Sequence, residues 1–338
     1  MLLIYMNKLP QIVVLSNDAG ATEYLAHMIL NEYVNANWNI FVMKNSPAEK
    51  IFNSLDIRLT LFSSFDKLSK SILSIDADII IYGTGWQVDF SKYVQDFSLK
   101  YKIKSVALID HWVNYKERFK ENSIPNNIIV MDNLAYQMAE ENFSPKTKIF
   151  QLENFFFKKI KTSFNLIKNK SFDSILFISE PTSVIAKNNL GDENAYGFTE
   201  YTTLKDILDL FDDVIVRLHP SDEKNKYDEI IKNYSNKKIT IVYPYDEELI
   251  LSLSKSKLTI GFDGMALYLS YLLGIDTISY MPNSNRALTI PIPKSYLIKD
   301  LLKVDNIDFS HKNNVSLDLN KISFHTMIET VMNRGVNV

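Results

Sequence analysis

Asp110-His111-Trp112-Val113-Asn114-Tyr115-Lys116-Glu117-Arg118-Phe119 is the densest polar and aromatic cluster in the sequence. Aromatic faces stack on the C–H surfaces of pyranose rings, while Asp and Asn side chains bond hydroxyls. A carboxylate beside an imidazole also serves as a general base. Asp110 and His111 are therefore the leading candidates for catalysis, with Trp112, Asn114 and Arg118 as candidate sugar contacts. The plainer alternative is a buried Asp–His pair that braces a loop. A second segment, Ser16 to Glu23, places Asn17, Asp18 and Gly20 in a short turn that admits a sugar or a phosphate. Asp18 is the rival base; the alternative is that Asp18 or Thr22 only caps a helix. A third, Gly83-Thr84-Gly85-Trp86, holds two of the nine glycines and adds Trp86 as a candidate acceptor contact.

The second half carries a different chemistry. Ser179-Glu180-Pro181-Thr182-Ser183, Arg217-Leu218-His219-Pro220-Ser221-Asp222 and Gly261-Phe262-Asp263-Gly264-Met265-Ala266 each follow an apolar run. The glycines let a phosphate approach the amides that open the following helix, where the dipole also favours an anion. Ser179, Glu180, Thr182, Arg217, His219, Pro220, Asp263, Gly264 and Met265 are thus the candidate contacts for a nucleotide-linked donor.

These segments need a scaffold that brings them to one edge. Apolar, β-branched runs recur at 11–16, 39–43, 77–83, 104–110, 127–132 and 148–152, then at 174–179, 213–218, 238–243, 258–262 and 276–281. Their near-continuous apolarity predicts strands buried on both faces. Helical patterns lie between them, such as ATEYLAHMILNEYV, YTTLKDILDLF and MALYLSYLLG. Strand–helix alternation predicts parallel sheets, whose ligands bind beyond the carboxyl ends of the strands. Eleven strands predict an α/β chain of two Rossmann-like domains facing a cleft. Residues 1–155 form the first domain, 156–172 a linker and 173–318 the second. Residues 319–338 form a C-terminal helix that crosses back to the first domain. The linker carries five lysines from Lys158 to Lys170 and no acid there. It reads as a solvated connection, or as a basic–aromatic patch facing an anionic membrane.

Composition narrows the function. The chain has 338 residues, 37 basic and 40 acidic side chains and no cysteine. That excludes disulfides and thiolate chemistry. Charge is balanced in both halves, which argues against nucleic acid as a partner. No apolar stretch is long enough for a membrane span, and no signal peptide is evident. A cytoplasmic protein is expected, with peripheral membrane association left open. P-loop, zincin and hydrolase motifs are absent. The Asp76-Ala77-Asp78 triplet precedes its strand, where a catalytic metal motif would follow one, so neither a metal nor a cofactor is expected. Only five arginines stand against 32 lysines: Arg58, Arg118, Arg217, Arg286 and Arg334. Each is informative, because lysine does not replace a bidentate fork that grips an anion.

LFISEPTS, VRLHPSD and TIGFDGMALYLSYLLGIDTISY together resemble the donor half of GT-B glycosyltransferases that build bacterial surface polysaccharides. The nearest likeness is to sialyltransferase and polysialyltransferase-like groups. It extends over about 120 residues, at motif level. The resemblance implies that His219-Pro220 contacts the CMP part of a donor and that the Asp263-Gly264-Met265 turn holds its phosphate. It further implies an inverting, metal-independent transfer of a sugar, such as a nonulosonic acid, to a glycan or glycolipid acceptor. Two departures stand out. The phosphate turn lacks the usual hydroxyl, offering Gly264 instead, and residues 1–155 lack the acidic D/E-D/E-G triplet of the family's base. Asp110, His111 or Asp18 must supply that base. A nucleotide-sugar epimerase or hydrolase on the same fold is the first alternative, and a non-enzymatic two-lobed binding protein the second.

Overall fold

Each of the eleven apolar runs forms a strand. The computed structural model describes residues 9–85, 88–167, 173–284, 286–311 and 321–332, which divide into two units. The first comprises the chain up to Phe156 together with the C-terminal segment, and the second runs from Phe157.

The first unit contains β1 (Gln11–Ser16), α1 (Ala19–Asn31), β2 (Asn37–Met43), α2 (Pro47–Ser54), β3 (Thr60–Phe62) and α3 (Phe65–Ile75). It continues through β4 (Ile79–Gly83), α4 (Val88–Tyr101), β5 (Lys104–Ile109), β6 (Asn127–Val130), α5 (Asn133–Asn142) and β7 (Lys148–Gln151). All seven strands are parallel, in the order β3-β2-β1-β4-β5-β6-β7. Ile12 to Leu15, Ile79 to Tyr82 and Val106 to Ile109 are fully buried, as expected of strands covered by helices on both faces.

The second unit opens within α6 (Phe155–Ile167). It holds β8 (Ser174–Ile178), α7 (Thr182–Leu190), α8 (Glu200–Leu210), β9 (Asp213–Arg217), α9 (Asp228–Ile231), β10 (Lys238–Val242) and α10 (Leu249–Ser254). β11 (Ser256–Gly261), α11 (Met265–Leu272), β12 (Asp276–Tyr280) and β13 (Leu297–Ile298) complete its sheet. This sheet is also parallel, in the order β10-β9-β8-β11-β12-β13. One of its apolar layers joins Phe177, Phe198, Leu204, Phe262 and Ile278; the other joins Phe164, Leu176, Ile215 and Leu253.

Several expectations need correction. The segment read as a linker begins as a helix: α6 buries Phe164 and exposes Lys158, Lys159 and Lys161. Residues 168–172 lie outside the described residues. β10 is an edge strand whose Lys238, Thr240 and Ile241 are exposed, so it is not buried on both faces. β3 and β13 add short edge strands not foreseen. The last helix, α12 (Phe324–Met332), belongs to the first unit. There Phe324 stacks on Trp38 at 5.7 Å, and Lys321 pairs with Glu153 at 3.1 Å. Among the described residues no helix is long and apolar enough to cross a membrane.

Candidate functional site

In both sheets the strand order reverses direction once, between β1 and β4 and between β8 and β11. At such a switch point the loops diverge to opposite faces and leave a crevice at the carboxyl edge. In each unit this place holds two carboxyls, one of them paired with an arginine.

In the first unit Asp18 caps α1, and its carboxylate accepts from the Gly20 amide at 3.1 Å. Close approach defines the turn. A Cβ on Gly85, after β4, would lie 2.8 Å from the Asp18 carboxyl, and one on Gly20 would lie 2.8 Å from Asp110 Oδ2. Asp110, at the end of β5, is buried and ion-paired to Arg118 Nη1 at 2.9 Å. The same nitrogen donates to Thr84 Oγ1 at 2.8 Å. Burial, and then the nearby Asp110 charge, push the Asp18 carboxyl up to about 6; the Gly20 amide and Arg118 oppose that rise. The site thus pairs a carboxylate neutralised by arginine with one that releases its proton near neutrality.

The aromatic part of this cluster is structural. Trp112 is 2% exposed, and its indole N–H donates to both oxygens of Asp132, at 3.2 and 3.0 Å. It is not available to stack on a sugar. Tyr115 is likewise buried and donates to the Ala135 carbonyl at 3.1 Å. The His111 ring meets the Trp112 ring edge-on, with centroids 5.4 Å apart. Asn114 is exposed at φ 59°, a turn position that Asn tolerates better than most residues. Asn17 is buried after β1. Trp86 lies outside the described residues. Asp76 is the left-handed cap of α3, and Asp78 accepts from the Gln11 amide at 2.8 Å, so that triplet is a turn.

In the second unit Glu180, after β8, faces Gly264, after β11. The Gly264 amide donates to Glu180 Oε1 at 3.0 Å. Asp263 is buried and takes Arg286 Nη2 at 3.0 Å and the Thr289 hydroxyl at 2.9 Å. Arg286 in turn stacks over Tyr196 at 4.4 Å. Burial, then Asp263, push the Glu180 carboxyl up to about 8. Arg286 and Thr289 carried no motif in the sequence; the scarcity of arginine was the only signal for the former. Met265 opens α11 next to this pair, half-buried.

His219 and Pro220 sit at the end of β9, on the same edge. The His219 Nδ1 accepts from the Ser221 amide at 3.2 Å, so the neutral ring carries its proton on Nε2. Burial holds this imidazole below its usual range. Asp222 fixes the turn by accepting the His219 amide at 2.9 Å and the Ser179 hydroxyl at 3.0 Å. Lys226 lies against Asp222 at 2.8 Å and Glu200 at 3.0 Å, all three side chains being buried. Two donor candidates therefore point elsewhere. Ser179 is 2% exposed and turned into this network, also meeting the Tyr227 hydroxyl at 2.6 Å. Arg217 is buried and donates to Ser252 on α10 at 2.9 Å, away from the loops. Thr182 is buried in the first turn of α7.

By sequence the chain matches no family model and no curated protein. Its backbone does match solved structures. One is the UDP-GlcNAc 2-epimerase of Neisseria meningitidis bound to UDP-GlcNAc, with a TM-score of 0.61 at 8% identity over 96% of this chain and 100% of that one. The fold is GT-B. The UDP-N-acetylglucosamine 2-epimerase of Rickettsia bellii gives 0.59 at 11% identity, over 96% of this chain and 95% of that one. Anabaena HepE in complex with UDP gives 0.53 at 9%, over 86% of each chain. At such identities the likeness establishes the GT-B fold and leaves the chemistry to the residues.

Proposed function

We propose that this protein is a glycosyltransferase. Its second unit would hold a nucleotide-sugar donor, and its first unit would supply the acceptor site and the base. One observation carries the reading: the two sheet edges differ in chemistry. The first edge presents a carboxyl, Asp18, poised to take a proton near pH 6 beside a neutralised Asp110. The second presents His219 Nε2 and the Arg286 guanidinium as hydrogen-bond donors, beside the Gly264 amide that Glu180 occupies.

In this reading Asp18 deprotonates the acceptor hydroxyl. The donors of the second edge stabilise negative charge on the departing nucleotide. Asp110 is a positioning residue, because its charge is already met by Arg118. In this reading transfer is inverting and needs neither metal nor cofactor. Of the donors, a CMP-linked nonulosonate rests on the His-Pro resemblance alone, and a UDP-sugar suits the GT-B neighbours equally. A glycan or glycolipid acceptor follows from the reading, and α6, with its exposed lysines, is the segment that would approach an anionic membrane.

The epimerase neighbours define the competing reading, in which the same edge holds a nucleotide sugar and no acceptor is needed. The deciding experiment begins with a thermal-shift screen of CMP, UDP, GDP and dTDP, since a bound ligand raises the midpoint by mass action. The sugar of the nucleotide that binds is then followed with and without glycan acceptors. Product that forms only with acceptor supports transfer; an altered nucleotide sugar without acceptor supports epimerisation. No shift with any nucleotide overturns both.

A further inference from the structure

The Glu180 carboxyl sits where the reading above places an anion. Its Oε1 accepts from the amide that opens α11, and it lies 2.8 Å from where a Cβ on residue 264 would be. A side chain there would have to push the carboxyl aside, so the glycine leaves it room. The N–H that a donor phosphate would use therefore already has an acceptor from the chain itself. An ionised carboxylate and an ionised phosphate packed on one amide repel strongly in a partly buried site.

The charged groups facing Glu180 do not relieve this conflict. They are Asp263, on the loop between β11 and α11, and Arg286, on the loop after β12. The Arg286 Nη2 bond goes to Asp263, which also takes the Thr289 hydroxyl. Among the described residues Glu180 is left with the backbone amides of Phe262 and Gly264 and no cation bonded to it.

We propose, resting on the donor-site reading, that Glu180 is a proton-controlled occupant of the phosphate seat. The phosphate takes the Gly264 amide only while Glu180 carries a proton, and the neutral carboxyl then donates a hydrogen bond to a phosphate oxygen. Burial and Asp263 keep Glu180 protonated up to about pH 8. Donor affinity is therefore full at neutral pH and lost as the pH rises through that value.

The test is nucleotide affinity by calorimetry from pH 7 to pH 9, with UDP and CMP as probes. Over this range the nucleotide phosphates are already ionised and His219, held below its usual range, stays neutral. Wild type should lose roughly tenfold in affinity between pH 7 and 9, the change expected for one group titrating near 8. Glu180→Gln, a permanent neutral isostere, should bind nearly as well at pH 7 and show a flat profile. Glu180→Ala should also be flat, with weaker binding. A flat wild-type profile, or the same fall in both variants, overturns the proposal while leaving the donor site standing. If neither nucleotide binds any of the three proteins at any pH, the donor-site reading fails and this proposal fails with it.

Discussion

Asp18 and Glu180 both hold a proton more tightly than a surface acid, and for the same reason: burial next to a second carboxylate that has claimed the arginine. For Asp18 this sets a pH dependence. A base works deprotonated, so kcat/KM should climb through about pH 6, and it should fall again above about pH 8 as Glu180 loses its proton and donor affinity drops. Asp18→Asn should lower turnover by roughly 10²–10⁴-fold while nucleotide affinity is kept. If Asp110→Asn costs more turnover than Asp18→Asn, with the fold intact, the base has been misplaced. The donor edge allows a contrast between two neighbouring residues. His219→Ala should weaken nucleotide binding with little change in thermal stability. Arg217→Ala should do the opposite, because its guanidinium bonds α10 rather than the loops. Equal nucleotide affinity in wild type and His219→Ala would make the histidine a turn residue only.

At the scale of elements, the His-Pro turn depends on a buried ionic cluster. Lys226 links Asp222, which fixes the turn, to Glu200, which accepts from the Ser183 amide at 2.8 Å in the first turn of α7. Removing the one cation leaves two carboxylates buried without it. Lys226→Met should therefore lower stability by about 3–5 kcal/mol, the usual outcome of breaking a buried pair from one side. Chemical denaturation would measure this. A loss below about 1 kcal/mol, typical of exposed pairs, would show that water reaches the cluster.

At the scale of the whole chain, the first unit is discontinuous, since α12 returns to it after the second unit is complete. Phe324, Met327, Ile328 and Val331 are buried, with Phe324 stacked on Trp38. Phe324→Ala should cost about 3–5 kcal/mol, the range for emptying a buried aromatic site. Because the loss falls on the first unit, thermal unfolding followed with saturating nucleotide should retain the ligand-induced shift of the second. An unchanged melting profile would mean that α12 contributes nothing to the first unit's stability.

The sequence by itself determined the two-sheet α/β plan. Runs such as QIVVLS and SILFIS read as strands because a parallel strand covered on both faces must be apolar throughout. Edge strands of two or three residues, β3 and β13, carry too few side chains to leave such a pattern. The strand-end positions of Asp18, Asp110, Glu180, His219 and Asp263 were legible too, since topology puts those loops on the carboxyl edge. Which side chain faces which partner was not. Trp112 looked like a stacking surface until the chain brought Asp132, twenty residues on, to its N–H. Arg217 shares its strand face with Ile215, two residues earlier, and that face packs on α10, whereas the His-Pro neighbour suggested the loops. The Asp110–Arg118, Asp263–Arg286 and Glu180–Gly264 contacts join residues 8, 23 and 84 positions apart. Only tertiary structure decides which carboxylate meets an arginine and which keeps its proton, because that depends on burial and distance rather than on residue type.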